Sequence, residues 1–183
     1  MSTNSKVKQP YNEAALYEYA VGALARRMRT VAELKRLMRR KIAEDNQGAE
    51  LIERVVARLK EQKYLNDSQY AVTYARFRQE NEKFGRRRVQ QDLMVKGVHP
   101  EVIEKTLTAA YLEINEEELA RKFIARKRLK KPSGGQDDKG RNEKEVARIF
   151  RMLARAGFSH AVIYAVLKKW EVDDETLMAL GGE

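Results

Sequence analysis

The feature that most constrains the fold is an internal repeat that aligns without a gap. Val89, Leu93, Gly97, Val98, Val102 and Leu107 superimpose on Ile149, Leu153, Gly157, Phe158, Val162 and Leu167. Apolar residues four apart, then a glycine, then a second apolar run at helical spacing describe two amphipathic helices joined by a tight turn. Leu34, Met38 and Ile42 fall into the same spacing, although this first copy lacks the glycine and its turn is longer. Recurring units of this size stack on one another and share buried faces. The chain is therefore expected to be all-α, with three tandem three-helix, helix-turn-helix-like modules in an extended array. Their expected bounds are residues 12–63, 64–111 and 112–172.

Local signals divide each module. A helix is expected from about Asn12, with Leu16, Ala20, Ala23 and Leu24 on one face. Thr30 with Glu33 reads as a capping box, and Asn66 with Gln69, Asn115 with Glu118, and Asn142 with Glu145 place further helix starts, as does Ser159. Leu51, Ile52, Val55, Val56 and Leu59 form the stripe of the third helix. Tyr64 and Leu65 are expected to pack back on the fourth helix, whose buried side is Tyr70, Ala71, Tyr74 and Phe77. Gly85, Gly97 and Gly157 read as helix stops, because glycine takes the left-handed conformation without steric cost. Residues 1–11 are expected to be a disordered tail, 131–141 a mobile loop with nothing apolar to bury, and 173–183 an acidic tail.

About half of the 183 residues are Ala, Glu, Lys, Arg or Leu, which agrees with helices rather than sheets. Apolar residues make up 43% and charged residues 35%, so the helices must be strongly two-faced. The net charge of +10 suits a negatively charged partner such as nucleic acid, or something bound to it. There is no cysteine, which excludes disulfides, thiolate catalysis and cysteine-based metal sites. No stretch approaches the roughly 20 apolar residues of a membrane span, and no membrane partner is expected. A cytoplasmic location is expected.

The middle helix of each module carries a basic face. These are Lys35, Arg36, Arg39 and Arg40; then Arg86, Arg87, Arg88 and Lys96; then Lys144, Arg148, Arg151 and Arg155. A single basic stripe is ordinarily a solvated helix face. Three at equivalent positions argue for a partner. Arginine rather than Asn or Gln dominates, which favours phosphate or acidic-protein contacts over base reading.

Sites for chemistry are missing from the same sequence. His99 and His160, the only histidines, lie in different modules near helix starts and read as structural. No phosphate-cradling glycine loop ending in Lys and Ser or Thr occurs. Asp137 with Asp138, and Asp173 with Asp174, fall in an expected loop and tail, where no pocket would perturb them. No catalytic residue, metal or cofactor is expected.

The run Lys63-Tyr64-Leu65-Asn66-Asp67-Ser68-Gln69-Tyr70-Ala71 is followed by Gly85-Arg86-Arg87-Arg88-Val89-Gln90-Gln91-Asp92-Leu93 and then Lys96-Gly97-Val98. Together these segments resemble the RecX family of bacterial recombination regulators, and the resemblance extends over about residues 12–170. It implies a three-module helical protein that binds in the groove of the RecA filament on single-stranded DNA, spanning neighbouring protomers. Family members block filament growth or promote its loss, lowering RecA's ATP hydrolysis, strand exchange and co-protease activity. The expected function is thus non-enzymatic negative regulation of RecA, by a monomer that binds single- and double-stranded DNA only weakly. A helical-repeat protein that binds DNA directly, without RecA specificity, is the alternative. The twelve basic residues named above are the expected contacts.

Overall fold

The computed structural model describes residues 11–42, 45–132 and 139–181, and among these every regular element is helical. The expected tail at residues 1–10, the centre of the expected loop at 133–138 and the last two residues lie outside the described residues. Ten α-helices follow in order: α1 Glu13–Arg26, α2 Val31–Arg39, α3 Asn46–Glu61, α4 Asp67–Phe77, α5 Arg86–Val95, α6 Pro100–Tyr111, α7 Glu116–Arg126, α8 Lys139–Arg155, α9 His160–Lys168 and α10 Asp174–Gly181.

Many of their starts are set by short polar side chains that satisfy otherwise free backbone amides. Asn12, Thr30, Asn66, Asn115 and Ser159 each accept an N–H three residues on, and Thr30 with Glu33 completes a reciprocal box. Asn142 does not act this way. α8 begins three residues earlier, at Lys139, and the buried Asn142 Oδ1 has no hydrogen-bond partner.

Two cores form. The first joins Leu16, Ala20, Leu34, Met38, Ile52, Val55 and Leu59 from α1–α3. Leu65, expected to serve the fourth helix, is buried in this first core, while Tyr64 is 59% exposed. The second is continuous across α4–α9, with Phe158 wholly buried against Phe123, which in turn lies 6.3 Å from Phe84 between ring centroids. α10 adds Leu177, buried in the same core, so the segment expected as an acidic tail is partly helical and docked.

Phe77 is exposed rather than buried, because α4 ends there and passes into a wider turn, Arg78–Glu82. That turn closes on Lys83, which takes the left-handed conformation expected of Gly85. Gly85 itself is extended, with φ −71°, and is the N-cap of α5. Gly97 and Gly157 are left-handed as expected, with φ 74° and 91°.

Their positions explain why glycine is needed at some helix ends and not others. Lys63, Lys83, Arg128 and Glu171 are left-handed too, yet carry full side chains. At Gly97 a Cβ would lie 2.5 Å from Ala32 Cβ, and at Gly157 it would lie 2.3 Å from the Arg88 amide nitrogen. Glycine occurs where the start of another helix presses on the turn. The pairing repeats: the N-terminus of α2 sits on the last turn of α5, and the N-terminus of α5 sits on the last turn of α8. In the first joint Thr30 Oγ1 donates to Lys96 O at 2.6 Å; in the second the Gly85 N–H donates to Ala156 O at 2.9 Å. Lys96 and Ala156 are equivalent residues of the repeat, each just before the left-handed glycine.

A candidate interaction surface on the middle helices

The two joints fix how α2, α5 and α8 present their basic residues. Arg86, Arg87 and Arg88 open α5, where positive charge opposes the helix dipole. The last turn of α8, the negative end of its own dipole, abuts the same point and offsets that cost. At the other end of α5, Lys96 lies on the favourable pole and pairs with Glu33 at 3.2 Å. Burial works against the Lys96 charge, but Tyr70 and Glu33 outweigh it and hold its pKa above the ordinary lysine value. Asp67 completes this joint by accepting the Val31 N–H at 2.8 Å. Its pKa is raised, chiefly by burial and against the pull of that hydrogen bond.

The basic face of α5 is largely engaged within the fold. Arg86 donates to Glu104 at 2.5 Å, which lowers the Glu104 pKa. Arg88 lies over the Phe84 ring, its Nε 3.1 Å from Asp92 Oδ1 without hydrogen-bond geometry. Asp92 also accepts from Tyr74 Oη at 3.0 Å, and Arg78 Nε donates to that hydroxyl at 2.8 Å. Burial raises the Tyr74 pKa; it opposes the Arg78 charge, which the Tyr74 and Asp92 partners more than restore. Sequence reasoning missed Tyr74, Arg78, Asp92 and Glu104 as members of this network. The spacing of four from Tyr74 to Arg78 and from Arg88 to Asp92 carried part of the signal.

On the flanking helices the division is similar. Lys35 pairs with Glu53 at 2.6 Å, and Arg148 with Glu145 at 2.6 Å. Arg36, Arg39 and Arg40 on α2, Arg87 on α5, and Lys144, Arg151 and Arg155 on α8 are exposed and have no ion pair among the described residues. Seven of the twelve expected contact residues are therefore unneutralised among the described residues. A cation that already has a carboxylate partner offers less to a second anion.

Among the described residues no group of three or more His, Asp or Glu could hold a metal ion. No helix there is long and apolar enough to cross a membrane.

Residues 66–107 match the family model described as the second three-helix domain of RecX. A regulatory protein RecX from Myxococcus xanthus is 31% identical over 170 residues, covering 88% of this chain and 87% of that protein. The chain belongs to the RecX family. A RecX from Oceanobacillus iheyensis is 27% identical over 160 residues, and here the chain spans only 55% of its relative's length. The RecX fold is seen in the crystal structure from Lactobacillus salivarius, at a TM-score of 0.63 and 20% identity, covering 87% of this chain and 96% of that one.

Proposed function

We propose that this chain is a non-enzymatic negative regulator of the RecA recombinase. It binds in the groove of the RecA filament on single-stranded DNA and limits filament growth, ATP hydrolysis, strand exchange and co-protease activity. In this reading it acts in the cytoplasm as a monomer, within homologous recombination, DNA repair and the SOS response. The three-helix modules are the binding units, and bare single- or double-stranded DNA is held only weakly.

The observation that carries the reading is the row of middle helices in this RecX-family chain. The start of α2 meets the end of α5, and the start of α5 the end of α8, through hydrogen bonds to the equivalent carbonyls of Lys96 and Ala156, and each of the three helices presents at least one exposed cation with no ion pair among the described residues. Unneutralised charge that recurs from one such helix to the next suits a long, repetitive, negatively charged partner. Direct binding to DNA by the same cations is the rival reading, favoured by their being arginine-rich and suited to phosphate.

The two are separated by measuring the affinity of the labelled chain for RecA-coated single-stranded DNA and for the same DNA bare. Tighter binding to the filament supports regulation of RecA. Equal or tighter binding to the bare strand would assign the protein to DNA itself.

A further inference from the structure

The two joints between modules are built alike but held together differently. Across the second, Phe84 of the turn before α5 lies 6.3 Å from Phe123 of α7, Phe123 lies 6.0 Å from Phe158, and all three pack in the one core shared by the second and third modules. Arg126 of α7 also reaches across it to Glu82 at 2.9 Å. Separating these two modules would put aromatic surface into water.

The first joint has no such seam. Counting from the N-caps Gly85 and Thr30 sets Phe84 against Arg29, and counting from Asn115 and Asn66 sets Phe123 against Tyr74. Each polar replacement bonds inside its own module, Arg29 Nε to Ala23 O at 3.2 Å and the Tyr74 hydroxyl to Asp92 at 3.0 Å. Among the described residues, none belongs to both cores. The bonds across this joint are polar: Thr30 Oγ1 to Lys96 O, the Val31 N–H to Asp67, and Lys96 Nζ to Glu33. Beside them the Ala32 methyl rests against Gly97.

The covalent link is equally slight. Tyr64 and Leu65 both donate their N–H to Leu59 O at the end of α3, and Leu65 is buried in the first core, so both belong to the first module. The next residue, Asn66, already caps α4. The boundary therefore falls at the single peptide between Leu65 and Asn66.

We propose that this first joint is a hinge, on which the module made by α1–α3 swings as a unit against the body made by α4–α10, and that Thr30, Glu33, Asp67 and Lys96 latch it closed. Polar bonds can be exchanged for bonds to water with little net change, so the latch opens without exposing either core. Hinges of this kind turn on a few residues at element ends. Opening re-aims Arg36, Arg39 and Arg40 of α2 relative to Arg87 of α5, so a partner that grips both helices binds the closed form and holds it shut. The hinge rests on the fold alone and not on the function proposed above.

Amide hydrogen exchange on the unmodified full chain tests it with an internal comparison. The Val31 N–H crosses the first joint to Asp67, and the Gly85 N–H crosses the second to Ala156 O. Both lie at helix starts, where their own helices offer no acceptor. With each rate referred to that of an unstructured chain, Val31 should exchange at least about tenfold faster than Gly85, because its joint opens without the core. Equal protection, or slower exchange at Val31, would overturn the hinge.

Spin-label distances supply a second arm, since the chain has no cysteine to compete with introduced ones. One pair of labels is placed at Glu50 and Glu101, across the first joint, and another at Glu101 and Ala125, across the second; all three positions are exposed. The latch variant Asp67→Ala with Lys96→Met should broaden the first distance distribution and leave the second unchanged. An unchanged first distribution, or equal broadening of both, would also overturn the proposal. Circular dichroism checks that the variant folds, and if it does not, the exchange comparison decides by itself.

Discussion

Gly85→Ala should be far more damaging than its chemistry suggests. Gly85 has an ordinary φ, so the added methyl brings no backbone strain. The cost is steric. The new Cβ would lie 2.4 Å from Gly157 O, 2.6 Å from its carbonyl carbon and 3.0 Å from the Phe158 nitrogen, where ordinary contact starts near 3.4 Å. All three are backbone atoms that no rotamer change can move, so α5 and α8 must part by about 1 Å. Overpacking of this kind costs about 1–3 kcal/mol. Separation also lengthens the Gly85 N–H to Ala156 O hydrogen bond, worth about 1 kcal/mol. The smaller entropy of an unfolded alanine returns about 0.5–1 kcal/mol. The net loss is about 2 kcal/mol, or a fall of about 1 M in the urea midpoint for a chain of this size. Gly22→Ala is the control. It sits inside α1 with nothing within 4 Å of its added methyl, and should stabilise by about 0.5–1 kcal/mol. Urea denaturation followed by circular dichroism reads both. Equal midpoints for the two variants would refute the close crossing of α5 on α8.

Asp67→Asn should keep the hydrogen bond from Val31 and remove a charge that burial penalises. Because the folded pKa of Asp67 is raised, its protonated form is stabilising at pH values below the unfolded value of 3.8, and that contribution is lost as pH rises through the folded pKa. The variant should therefore melt at or above the wild-type temperature at neutral pH, with the difference vanishing below pH 3.8; a deficit at neutral pH would contradict this. Replacing Arg36, Arg39 and Arg40 with glutamine should cost no more than about 1 kcal/mol of stability, since these side chains are exposed and have no ion pair among the described residues and only their favourable place at the end of α2 is lost, while weakening binding to RecA filaments. Reversing Arg86 with Arg88 should destabilise, because Glu104 and Asp92 lose their partners; thermal melting and filament binding measured together separate the two classes.

Much of this architecture was legible because its signals are local. The caps at Asn12, Thr30, Asn66, Asn115 and Ser159 each act within three residues, and Gly97 and Gly157 end their own helices. What could not be read depends on distant partners. Gly85 resembles a helix stop in sequence, but its need for glycine is set by Gly157, seventy-two residues on. The stripe at Arg86–Arg88 reads as uniformly free charge, yet Glu104 and Asp92 divide it so that, among the described residues, only Arg87 of the three has no ion pair. Asn142 has the form of a cap in sequence, whereas α8 extends back to Lys139.

The central claim is regulation of RecA, and its most direct test is RecA ATP hydrolysis on single-stranded DNA as this protein is added. The account predicts inhibition well below the concentration at which the protein coats bare DNA, with Arg36, Arg39 and Arg40 replaced by glutamine shifting the curve to higher concentration. Loss of hydrolysis only once the DNA is saturated, or none at all, would contradict it.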